Sequence, residues 1–138
     1  MKQITSLLLF ALLATAPRTA LADGYPAKTI LDSGVNVVGE KIVYPTTGPA
    51  NVKAAIVIMA PGEKTIVHKH GVPLFAYVLE GELTVDYEGH GKRIYRTGAA
   101  FLEAMHVWHY GINAGTVPVK LLAVYMGAKG SENVIPKR

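Results

Sequence analysis

An antiparallel all-β barrel or sandwich is the fold class the sequence predicts, and three observations predict it. Short β-rich runs follow one another at close, even spacing, and most end in a Gly- or Pro-containing turn. Beyond residue 22 no segment sustains a helical period long enough for a good helix. Half of the 138 residues are hydrophobic and 17% are charged, which supplies one packed core and does not match a disordered chain. This length corresponds to one domain. A domain of this size buries roughly two-thirds of the surface its unfolded chain exposes, so it stands without staples. No repeat, linker or low-complexity tract interrupts it.

Residues 1–22 read as an export signal. Met1 and Lys2 give a positive start, and Ile4 to Ala16 is apolar except for Thr5, Ser6 and Thr15. Ala20-Leu21-Ala22 supplies the small–x–small pattern of a cleavage site. The run is shorter than the about 20 apolar residues of a comfortable membrane span, which favours a cleaved signal over the alternative, an uncleaved N-terminal anchor. The expectation is cleavage after Ala22, a mature chain from Asp23, and a periplasmic or secreted location with no membrane partner after cleavage. With no cysteine in the chain, disulfides, thiolate metal sites, cysteine nucleophiles and a lipidated cysteine are excluded. Loss of Lys2 and Arg18 lowers the formal charge from +4 to +2. The remaining basic residues are scattered and form no stripe with aromatics, so no nucleic-acid partner is expected.

The elements follow in order. Residues 23–48 are expected to hold N-terminal strands, with Val35 to Val38 and Lys41 to Tyr44 as candidates and Thr46 to Pro49 as a turn. Residues 49–128 form the barrel. Its strands are Val52 to Ala60, stopped by Pro61-Gly62, and Leu74 to Leu79, stopped by Glu80-Gly81. Glu82 to Tyr87 alternates polar and apolar residues up to a Gly-rich turn holding His90; Lys92 to Tyr95, Ala99 to Leu102 and Val117 to Met126 complete the set. Residues 129–138 are expected to be a C-terminal tail, loose from Ser131 to Arg138. Val35 to Val43 reads as a spare strand able to cross to a second subunit, and a homodimer is expected, because a small barrel must cover its sheet edges and apolar outer faces.

Four of the five histidines fall in two groups, His68 with His70 and His106 with His109. Along a strand, His68 and His70 point to one face and Lys69 to the other. Two imidazoles so placed can share one metal ion, although such a pair also occurs as solvated surface residues. The flanking residues extend the pattern. Gly62 stands six residues before His68, and Gly81 follows the pair; Gly98 precedes His109, and Asn113 lies four residues beyond it.

These positions resemble the two motifs of the cupin superfamily, over roughly Val52 to Tyr125. The first motif runs Gly, five residues, His-x-His, a spacer, Glu, six residues, Gly; Gly62, His68, His70 and Gly81 match it. The second runs Gly, five residues, Pro-x-Gly, two residues, His, three residues, Asn; Gly98, His109 and Asn113 match it. The resemblance implies a small antiparallel cupin barrel, a double-stranded β-helix or jelly roll, with His68, His70 and His109 as metal ligands. Two departures matter. Leu74 stands where the motif's glutamate belongs, and Ala104 and His106 replace the Pro and Gly. The expected site is therefore three histidines without the usual carboxylate.

Three imidazoles suit a divalent transition metal, iron(II), zinc, nickel or copper, and loss of the carboxylate disfavours manganese. Some cupin-type dioxygenases, including thiol oxidisers, work with a three-histidine iron site. The resemblance thus implies a metal-dependent enzyme on a small molecule, an oxygenase first and an isomerase or lyase next. Its competitors are a non-catalytic binding module for a small ligand or metal, and a purely structural barrel; fold alone does not choose. Glu103 and His106 are candidates to join the site, and each also reads as an ordinary strand or loop residue. Trp108, Phe75, Phe101 and Tyr77 are candidate pocket walls, while Tyr110 should point away from His109. No Ser-His-Asp arrangement and no phosphate-cradling Gly-rich loop is present.

Overall fold

The computed structural model describes residues 26–138, which contain nine strands and no helix. The segment read as an export signal lies outside the described residues. The strands are β1 (Ala50–Met59), β2 (His68–Lys69), β3 (Leu74–Glu80), β4 (Glu82–Tyr87), β5 (Gly91–Arg96), β6 (Ala100–Leu102), β7 (His109–Ile112), β8 (Val119–Ala128) and β9 (Ile135–Pro136). They form two antiparallel sheets, ordered β1-β8-β3-β6 and β5-β4-β7-β2-β9. The all-β jelly-roll expectation is met.

Period-two alternation builds the core. Leu74, Ala76 and Val78 on β3, Leu83, Val85 and Tyr87 on β4, and Val119, Leu121 and Ala123 on β8 are buried, with less buried residues between them. Met59, Phe101 and Ala104 close the cluster. At Gly81, between β3 and β4, φ is +79°, and a Cβ would stand 2.6 Å from the Pro118 carbonyl oxygen. Only glycine fits a left-handed turn this close to neighbouring backbone. Asn113 is fully buried and acts as a clasp. Its Nδ2 donates to the carbonyls of Met59 at 3.0 Å and Val117 at 2.8 Å, and its Oδ1 accepts from Gly115 N–H.

Both ends of the described chain differ from expectation. The candidate strands at 35–38 and 41–44 reduce to one isolated bridge, Val35 to Lys41. The Asn36 side chain explains this. Its Oδ1 accepts from the N–H groups of Val38 and Glu40, and such local bonds stabilise a turn rather than a ladder. Nor is the tail loose. β9 pairs with β2, placing Ile135 opposite Lys69 and Pro136 opposite His68. Lys137 N–H then donates to the Val67 carbonyl at 2.9 Å.

Candidate metal centre

His68, His70 and His109 come together across the barrel. His68 on β2 lies directly opposite His109 at the start of β7. His70 follows β2 on the same face, and Lys69 points out, its Nζ 4.8 Å from the Trp108 ring centre. One ring nitrogen from each histidine falls within 4.8 Å of the others. His70 and His109 are buried, and His68 is half-buried.

Second partners orient the rings. His68 Nδ1 meets the Ile66 carbonyl at 2.7 Å, His70 Nδ1 the Asn133 carbonyl at 3.0 Å, and His109 Nδ1 the Val107 carbonyl at 2.9 Å. A carbonyl only accepts, so each Nδ1 carries a proton and each Nε2 presents a lone pair. Burial also favours the neutral rings. It lowers the basicity of all three, and His70 falls to about 3 despite its bond to Asn133. Two lone pairs therefore face each other where His109 Nε2 approaches His70 Nε2 at 3.3 Å. No proton remains to bridge them. Nitrogens about 2.0–2.1 Å from one ion lie roughly 2.9–3.4 Å apart at ordinary coordination angles. The donor set and spacing fit a divalent ion, and carbonyl-bonded Nδ1 groups are the usual support for histidine ligands.

The cluster opens on a cavity of about 100 Å³, walled by Leu74, Leu83, Val85, Leu121 and Tyr125. Leu74 is thus on the wall where the motif's carboxylate belongs. Glu103 also lines this cavity and is buried, but it stands outside the group of three close nitrogens. Burial pushes its carboxyl up to about 7, against the lowering hydrogen bonds from Tyr87 and Ala104 N–H.

Other candidates fall elsewhere. The His106 side chain is 74% exposed, and its Nδ1 meets Glu40 Oε1 at 3.1 Å, away from the cavity. Phe75 and Tyr77 point outward because Leu74, Ala76 and Val78 take the inner positions of β3. Phe101 stacks on Tyr95 in the core at 3.7 Å, and Trp108 lies outside with Lys69 and Lys137. None of these four aromatics lines the histidine cavity. Tyr110 points away, as expected, and donates to Asp86 at 3.2 Å. The nearby aromatics are instead Tyr125, 5.8 Å from His70, and Tyr87, 5.5 Å from His109, between ring centres. Strand parity held the signal: Tyr87 continues the inward row Leu83-Val85, and Tyr125 the row Val119-Leu121-Ala123.

The family comparison and the solved decarboxylase structure agree with this architecture. A sequence search of curated proteins finds no match. Among solved structures, a single-residue mutant of Bacillus subtilis oxalate decarboxylase superposes with a TM-score of 0.54 at 20% identity, over 62% of this chain and 23% of that one. A sugar phosphate isomerase of the cupin superfamily from Silicibacter pomeroyi gives a TM-score of 0.49 at 23% identity, over 54% of this chain and 50% of that one. This chain therefore spans about a quarter of the decarboxylase, and the likeness concerns the fold. The family model described as Cupin domain matches residues 55–125, which runs from β1 to β8 and carries all three histidines. With that match over half of its length, on a two-sheet barrel that holds the motif histidines around one cavity, the chain belongs to the cupin family.

Proposed function

We propose that this protein is a metal-dependent cupin that acts on a small molecule, with His68, His70 and His109 holding a divalent transition ion. The observation that carries the reading is the convergence of three Nε2 lone pairs, each fixed by a backbone carbonyl on Nδ1. Iron(II), zinc, nickel and copper suit an all-imidazole site better than manganese does. Bound between three neutral ligands, such an ion keeps its double charge, attracts anionic ligands, acidifies water and, if iron, supports oxygenase chemistry.

The chain's own residues do the rest. Leu74, Leu83, Val85 and Leu121 exclude water from the wall facing the histidines. Only a small ligand or the end of a larger one enters a cavity of about 100 Å³. The same smallness supports a second reading, a non-catalytic module holding the metal with a small ligand. Metal analysis of the purified mature protein, then oxygen consumption with acids, diketones, thiols and phenols, separates the readings. Stoichiometric metal with substrate-dependent oxygen uptake supports the oxygenase; stoichiometric metal without turnover supports the module; no metal defeats both.

Export and self-association belong to the same proposal. Cleavage after Ala22 gives an intact mass starting at Asp23, and a full-length mass in the periplasmic fraction speaks against it. The edge strand β1 leaves Val52, Ile56 and Ile58 exposed, whereas the edge strand β5 carries Lys92, Arg93 and Arg96. Charges discourage edge pairing and apolar edges invite it, so β1 is the face offered to a second copy. Sedimentation at micromolar concentration should show a dimer; a monomer removes this part.

A further inference from the structure

Glu103 is a buried carboxyl that a three-histidine site leaves without a task. It directly follows β6, and its N–H donates to the Leu74 carbonyl at 2.9 Å. This contact extends by one pair the register that sets Phe75 opposite Leu102. Directly opposed residues of an antiparallel pair share a face. Leu74 and Glu103 accordingly both line the cavity. A carboxyl thus stands one strand over from the position where the motif has its glutamate.

It is not a fourth member of the cluster. The close nitrogens belong to the three histidines alone, and no hydrogen bond joins Glu103 to any of them among the described residues. Its own partners set another role. Ala104 N–H donates to Oε1 at 2.9 Å, and the Tyr87 hydroxyl stands close enough to lower the energy of its charged form. The Tyr87 and Tyr95 hydroxyls lie 3.0 Å apart. Tyr95 is half-buried and lines an outer groove together with Asn36 and Val37. The Tyr87 and Tyr95 hydroxyls therefore stand between Glu103 and a residue of the outer groove. The other groups that act on Glu103 are His68 across the cavity and Tyr125 on β8.

We propose that Glu103 is the acid–base residue of this cavity, exchanging a proton with a ligand held at the three histidines, and that Tyr87 and Tyr95 are its path to the outer groove. The proposal rests on the metal-cupin reading above and narrows its ligand class. The ligand presents a small acidic O–H, as in an enol, hydroxy or carboxyl group, or arrives as an anion. In the forward step the ligand O–H bond breaks, its electron pair stays on the ligand oxygen, and the proton bonds to a Glu103 carboxylate oxygen. The proton then leaves through Tyr87 and Tyr95, each hydroxyl passing on one hydrogen as it receives another. In the metal-free cavity burial holds the carboxyl well above its ordinary value, and a carboxyl so raised suits acid–base work near neutral pH.

Infrared difference spectroscopy of the zinc-loaded protein, with and without azide at about pH 8, tests this. The anion raises negative charge beside Glu103, so a protonated-carboxyl band should appear on azide binding. Glu103→Gln should lose that band while keeping zinc and azide. In Tyr87→Phe the band should persist, with deuteration in D2O slowed about tenfold, the effect of ~1.4 kcal/mol of added barrier. A band unchanged in Glu103→Gln, or loss of zinc from that variant, overturns the assignment. Deuteration as fast in Tyr87→Phe as in the unaltered protein overturns the path. If the protein takes no zinc, the metal reading fails separately. The carboxyl band of the metal-free protein then decides: titration near 7 that vanishes in Glu103→Gln keeps the acid–base residue, and titration in the ordinary carboxylate range ends it.

Discussion

On one side of the cavity stand His68 and His109, opposed in register on the five-stranded sheet. On the other stand Leu74, at the start of β3, and Glu103, just past β6, on the four-stranded sheet. The histidine side keeps the motif spacing, and backbone carbonyls hold its rings. The opposite side departs from the motif at Leu74. The difference is one of tolerance. A cluster of metal-sized donors needs every ring at one distance and in one tautomer, so each position is constrained twice. A wall of two paired strand ends offers one face that either strand can furnish, so a carboxyl can stand just past β6 when β3 carries leucine.

Removing a histidine tests the constrained side most severely. His68→Ala, His70→Ala or His109→Ala should abolish stoichiometric metal, and His90→Ala, at an exposed hairpin tip, should leave it intact. Metal content by mass spectrometry decides this. Added zinc should raise the unfolding temperature of the unaltered protein and of His90→Ala only, since an ion bound only to the folded state stabilises it by mass action. Equal metal in the four variants would end the site assignment.

Deleting residues 131–138 probes the support behind the rings. It removes the Asn133 carbonyl from His70 and the β9 pairing from β2. Loss of such a partner typically lowers metal affinity about 10–100-fold. A zinc competition titration on the truncated chain reads it, and unchanged affinity would show the tail to be dispensable.

The two sides should respond to pH with opposite signs in the metal-free protein. The histidines are less basic folded than unfolded, with His70 near 3. Acid therefore protonates the unfolded chain first, and stability falls as pH drops from about 6.5 toward 3. Glu103 is the reverse, its carboxyl raised from 4.5 to about 7. Its contribution is full below 4.5 and is lost as pH rises through about 7. Denaturant midpoints across pH 4–8 (a span of about four units) should therefore show a maximum, and Glu103→Gln should remove the loss that accumulates as pH rises from 4.5 to about 7, gaining roughly 1–3 kcal/mol at the alkaline end relative to the acid end. A Glu103→Gln profile that keeps the alkaline loss contradicts this assignment.

Smaller effects refine the comparison. Leu74→Glu restores a carboxylate beside Glu103 and should tighten manganese relative to zinc, measured by competitive loading. Glu40→Gln weakens the clamp that accepts the Met105 N–H at 2.8 Å and the His106 N–H at 3.0 Å. Burial raises the Glu40 carboxyl, yet bonds from Asn36, Met105 and His106 outweigh it and hold it below its ordinary value. The substitution should cost about 1 kcal/mol in urea unfolding with metal content unchanged.

Much of this molecule was legible along the chain because its determinants are local. Alternation on β4 placed Glu82 to Tyr87 as a strand, and Gly62, Gly81 and Gly98 marked turns that adopt positive φ. His68 and His70 share a face because side chains two apart on a strand always do, and the motif resemblance added His109. Tertiary structure decided what depends on distant partners. His70 takes its proton acceptor from Asn133, 63 residues away, so a segment that reads as a loose tail orients a candidate ligand. His106 turns outward because Glu40 holds it, and Glu103 turns inward because Leu74 sets its register. Residue type and parity propose a side chain's direction; the buried carbonyl, hydroxyl or strand that meets it selects its protonation state and its use, and those partners are assembled only by folding.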